Sequence, residues 1–96
     1  MKEYELVSIL PPSVEEEQAA GVAEAVSNFI QSLNGEVQEV KPWGRRRFAY
    51  PIKHFREGNY VEMHFRLYPA KADDLERGLR LNESVLRYML LRKDQR

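Results

Sequence analysis

The chain has 96 residues, with fifteen basic and fifteen acidic side chains and no cysteine. That length suits one small domain (residues 1–96) with a thin core, which argues against a large internal cofactor cavity. The missing cysteine excludes a disulfide framework and a thiolate zinc site. Residues 3–10 read as a strand that Pro11-Pro12 ends. Ser13 fits an N-cap, with Glu16 three residues on in a capping-box pattern. From Val14 to Leu33 the pattern is helical, with Val22, Val26, Phe29, Ile30 and Leu33 on one apolar stripe. Asn34-Gly35 is a good helix stop.

Residues 36–50 read as a long second strand. Val37 and Val40 have opposite parity, which a bulge early in the strand would reconcile. Pro42 and Pro51 suit an edge strand. His54 to Asn59 reads as a loop, and Tyr60 to Tyr68 as a clean alternating strand. Val61, Met63, Phe65 and Leu67 point one way, and Tyr60, Glu62, His64, Arg66 and Tyr68 the other. Residues 71–81 form a shorter helix with Ala72, Leu75 and Leu79 inward. Residues 84–92 read as a fourth strand, and Lys93-Asp94-Gln95-Arg96 as a frayed tail. The order is βαββαβ, an α+β, ferredoxin-like plan. It predicts a four-stranded antiparallel sheet with strands one and three central and both helices on one face.

The charge is unevenly placed. Residues 1–40 hold Lys2 against eight glutamates, a net of −7. Residues 41–56 hold Lys41, Arg45, Arg46, Arg47, Lys53 and Arg56 and no acid, a net of +6. Residues 57–96 come to +1. Trp43, Phe48, Tyr50 and Phe55 lie inside the basic block. Cations for phosphate interleaved with flat faces for bases are what RNA contact needs. Arg45 and Arg47 share one side of a strand, and Arg46 lies opposite. The plain alternative is an edge strand guarded by charge against sheet-to-sheet pairing. Arg80 and Arg87 flank the last helix-to-strand corner, where they extend a basic surface or serve as ordinary solvated cations.

Tyr60, His64 and Tyr68 lie where RNA-recognition motif domains carry stacking aromatics, but the surrounding residues lack that pattern, so a half-buried sheet surface is expected. His54 and His64 are ten apart, outside metal-ligand spacing, and read as surface residues. No cofactor and no metal are expected. Catalysis has little support: Leu10-Pro11-Pro12-Ser13 is no phosphate loop, and no catalytic triad or carboxylate pair is recognisable. The start Met1-Lys2-Glu3-Tyr4-Glu5 is unlike a signal peptide, and no apolar run nears the roughly 20 residues of a membrane span. A cytoplasmic protein without membrane contact is expected.

Three stretches resemble the bacterial ribosomal small-subunit protein six family. They are Tyr4-Glu5-Leu6-Val7 with Leu10 and Pro12; Trp43-Gly44-Arg45-Arg46-Arg47-Phe48-Ala49-Tyr50-Pro51-Ile52 with Lys53 and Glu57-Gly58-Asn59-Tyr60; and Leu79 to Tyr88. The resemblance implies a ferredoxin-like structural protein of the ribosome, with no small-molecule substrate. It further implies binding to the central domain of 16S ribosomal RNA together with the small subunit's protein eighteen. Arg45, Arg46, Arg47, Lys53 and Arg56 are then expected to hold phosphate. Trp43 and Tyr50 are expected to pack or stack locally, and Arg80 and Arg87 to add second-tier contacts. The alternative is a ferredoxin-like protein-interaction or regulatory domain.

Overall fold

Side chains alternate along β1 (Lys2–Leu10): Tyr4, Leu6, Ser8 and Leu10 are buried, while Glu5, Val7 and Ile9 are half-buried on the other face. In the computed structural model, which describes residues 1–95, this strand is followed by α1 (Glu16–Ser32), β2 (Glu36–Ile52), β3 (Phe55–Leu67), α2 (Ala72–Leu81) and β4 (Arg87–Arg92). The sheet is antiparallel in the order β2-β3-β1-β4, so β1 and β3 are central and β2 and β4 are the edges, as the sequence predicts. Both helices cover one face. Ala19, Val26 and Ile30 of α1 and Leu75 and Leu79 of α2 join Tyr4, Leu6, Leu10, Val61, Met63, Phe65 and Leu67 in one core. Tyr4 and Phe65 are cross-strand partners, and their rings stack with centroids 5.6 Å apart.

Four local readings change. The capping box is Glu15 with Gln18, whose side-chain oxygen accepts the Glu15 N–H at 3.1 Å; it is not Ser13 with Glu16. The reason is a turn before the helix, closed by the Val14 N–H to the Pro11 carbonyl at 2.9 Å, which takes up Ser13. His54 to Asn59 is not a loop. β3 already starts at Phe55, and Ile52 pairs with Phe55 across a two-residue turn, Lys53-His54. Both turn residues have positive φ, 48° and 74°, as a tight hairpin requires, but neither is the glycine or asparagine that advertises one. β4 starts at Arg87, three residues later than residue 84, because Val85 and Leu86 are buried in the corner and tied by Leu86 N–H to the Ile9 carbonyl. Of the tail, Lys93–Gln95 forms a 3-10 turn, with Asp94 paired to Arg92 and Lys2; Arg96 lies outside the described residues.

Two glycine positions differ in kind. α1 ends in a Schellman motif, in which Asn34 N–H meets the Gln31 carbonyl and Gly35 N–H the Ile30 carbonyl, both at 2.9 Å. Asn34 takes the left-handed conformation there, with φ 64°. Gly58 lies inside β3, where a Cβ would collide with the Leu10 carbonyl and meet the Phe48 ring at 3.0 Å. Ser8, which stands where an apolar residue fits, is buried with no partner for its hydroxyl among the described residues.

Candidate nucleic-acid interface

β2 is bent out of regular pairing three times, between Val37 and Glu39, Pro42 and Gly44, and Arg47 and Ile52. The first shift is the bulge that the parity of Val37 and Val40 demands. The second frees Trp43 and turns its indole onto β3, where it stacks on Tyr60 with centroids 5.4 Å apart and planes 5° from parallel. The indole N–H donates to Glu62 Oε1 at 2.9 Å. Phe48 packs tilted against the other side of this cluster, 6.1 Å from Tyr60. Trp43 therefore has a fixed orientation while remaining 40% exposed. Tyr50, inside the third shift between Arg47 and Ile52, is 72% exposed.

The arginines follow the pairing register. Arg45, Arg46 and Arg47 lie opposite Asn59, Gly58 and Glu57. Asn59 belongs to the buried helix side, where its amide donates to the Val14 carbonyl, so Arg45 and Arg47 face the α1 side and Arg46 the open side. Arg45 is held by two bonds, to Glu57 Oε1 at 3.0 Å and to the Pro12 carbonyl at 2.8 Å. It ties the hairpin to the β1–α1 corner. Arg46, Arg47, Lys53 and Arg56 are exposed and make no ion pair among the described residues. The structure thus gathers five of the six cations at one end of the sheet, and four of the five are uncommitted.

Arg80 and Arg87 are not brought together. Arg80 donates to the Tyr88 hydroxyl at 3.3 Å, which donates in turn to Glu76 at 3.1 Å, all on the helix side. Arg87 pairs with Ile9 and shares the opposite, open side with Met89 and Leu91. It lies across the sheet from Trp43, along the line Arg87, Ile9, Tyr60, Gly44. At about 4.8 Å per strand, that is about 14 Å. Sequence parity found Tyr60 on the open face but not its role as the platform under Trp43, because the bulges that swing Trp43 over leave no simple periodicity.

His64 is not a free surface residue. Its side chain is 16% exposed, with Nε2 in contact with Glu62 Oε2 and 3.9 Å from Glu5 Oε1. The His64 hydrogen bond, more than any other influence, holds the Glu62 carboxyl below the usual carboxylate range. Among the described residues this is the group whose ligand atoms lie close enough to hold a metal ion. The described helices include none long and apolar enough to cross a membrane.

Comparisons with known proteins bear on the family and the fold. The profile of the family described as ribosomal protein S6 matches residues 3–92. The small ribosomal subunit protein bS6 of Desulforudis audaxviator is 42% identical over 94 residues, covering 98% of this chain and 100% of that protein. The protein of the same name from Heliobacterium modesticaldum is 38% identical over 95 residues, covering 99% of each. In three dimensions the chain is similar to the crystal structure of 30S ribosomal protein S6 from Thermotoga maritima. The TM-score is 0.89 at 31% identity, covering 99% of this chain and 98% of that one.

Proposed function

The chain belongs to the ribosomal protein S6 family, and from that premise we propose that it binds the central domain of 16S ribosomal RNA jointly with the small subunit's protein eighteen. The family consists of structural components of the small subunit, so the chain is a non-enzymatic ribosomal protein that acts in translation on the cytoplasmic ribosome. All 96 residues serve as one RNA-binding domain of ferredoxin-like fold.

The observation that carries this reading is the hairpin end. Arg46, Arg47, Lys53 and Arg56 stand exposed without acidic partners beside an oriented Trp43 and an exposed Tyr50. Guanidinium forks hold phosphate in a bidentate way, and the flat rings offer base stacking. Arg45 acts partly through position, since its bonds to Glu57 and Pro12 set the angle of the strand that carries its neighbours. Arg87 adds a cation on the open face, and Arg80 one beside Tyr88. The −7 segment formed by β1, α1 and the start of β2 repels phosphate, which favours local contact and a partner that supplies further cations.

The test is binding of the chain to a 16S central-domain fragment, with and without protein eighteen, and sedimentation with the small subunit. The expected result is RNA binding that protein eighteen strengthens and that salt weakens. A chain that binds a protein partner yet stays off both RNA and subunit would instead be an interaction or regulatory domain on the same fold.

A further inference from the structure

We propose that Glu5, Glu62 and His64 form a binding site for a divalent cation of the zinc type on the open face of the sheet. The site follows from strand register, which is why histidine spacing along the chain does not show it. Glu5 of β1 is the direct cross-strand partner of His64 of β3, and Glu62 lies two residues before His64 on the same face. One ligand atom from each, two carboxylate oxygens and the His64 Nε2, lie within 4.8 Å of one another. The three side chains are 13–19% exposed, so they lie half-dry on the open face of the two central strands.

The chemistry of this set suits a particular class of ion. Two carboxylates and a neutral imidazole carry a charge of −2, which a dication balances. The imidazole selects zinc and its late first-row neighbours such as cobalt over magnesium, which prefers an all-oxygen shell and keeps its waters. Zinc bonds of about 2.0–2.2 Å require Glu5 to draw in toward His64 and the touching Glu62 Oε2 and His64 Nε2 to part, both within the reach of a glutamate rotamer. The three ligands come from one side, leaving the outward position open to water or to a partner's side chain. Glu62 is oriented by a supporting bond: its Oε1 accepts the Trp43 indole N–H, leaving Oε2 on the His64 side. The ligands stand on β1 and β3, the two central strands, a firmer base than the edge hairpin.

The one tryptophan, Trp43, is bonded to Glu62 and reports on the site directly. The test titrates the tag-free chain with zinc chloride, following Trp43 emission and calorimetry, and repeats it with cobalt chloride, following visible absorption. The expected result is one ion per chain with micromolar affinity, a change in Trp43 emission, and cobalt bands of a low-coordinate site. Glu5→Gln and His64→Gln should each weaken binding at least about ten-fold while leaving the circular dichroism spectrum unchanged. His54→Gln should bind like the parent chain. Binding that appears only at millimolar metal, or that is lost in His54→Gln and kept in His64→Gln, overturns the proposal. So does a His64→Gln chain that stays folded and binds zinc as tightly as the parent.

Discussion

β2 and β3 are hydrogen-bonded neighbours, yet they do opposite jobs. β3 runs 13 residues and buries every second side chain from Val61 to Leu67. β2 runs 17 residues and buries only Ile52. β3 keeps its register against β1 over nine consecutive pairs, whereas β2 slips three times against β3. A strand packed on both edges and one face cannot slip without moving its apolar set to the wrong side. An edge strand with a wet surface can, and each slip re-aims a side chain. The central strand therefore carries stability, and the edge strand carries the exposed cations and rings.

The largest expected effect breaks the central strand. Phe65 is fully buried and stacked on Tyr4, so Phe65→Ala should cost about 3–5 kcal/mol in urea unfolding. Any loss of RNA binding in that variant should track the unfolded fraction. Next comes the edge strand. Replacing Arg46 and Arg47 together with Ala should weaken RNA binding and lower its log–log salt slope by about 1–2. Stability should stay within about 0.5 kcal/mol of the parent. Arg45→Ala separates position from charge: it should also destabilise the fold, by about 1 kcal/mol, through loss of its bond to Pro12. An unchanged salt slope in the double variant would break the division of labour.

A smaller effect is expected at the turn. His54 sits at φ 74°, which costs a side-chain-bearing residue about 1–2 kcal/mol. After the extra chain entropy of glycine, His54→Gly should stabilise the fold by about 0.5–1 kcal/mol, read as a higher urea midpoint. The smallest effect is acid sensitivity at Glu62. Its carboxyl is held below the ordinary value of 4.5, chiefly by the His64 hydrogen bond. A depressed carboxylate contributes stability above the unfolded value and loses it as pH falls through the folded one. Melting temperature should therefore drop below about pH 4.5 in the parent, and drop less steeply in Glu62→Gln.

Much of this was readable in the residues themselves. The alternation of Val61 to Leu67, the stripe from Val22 to Leu33 and the helix stop at Asn34-Gly35 state the local structure, and the element order states the fold. The block of cations at 41–56 marks the candidate surface. The turn at Lys53-His54 was not readable, because its left-handed residues are imposed by the strands they join and not by their own preference. The pairing of Arg45 with the Pro12 carbonyl spans 33 residues, and no local pattern encodes it.

Periodicity and charge order are one-dimensional, so the sequence alone determines which faces are apolar, where helices stop and where cations crowd. Which cations are tied down and which are free depends on register between strands distant in the chain, and only the tertiary structure decided that. It left Arg46 and Arg47 open while fastening Arg45, laid Trp43 on Tyr60, and set Glu5 beside His64 across fifty-nine residues of chain. The physical reason is that a sheet reads its neighbours sideways, and a one-residue slip exchanges every partner.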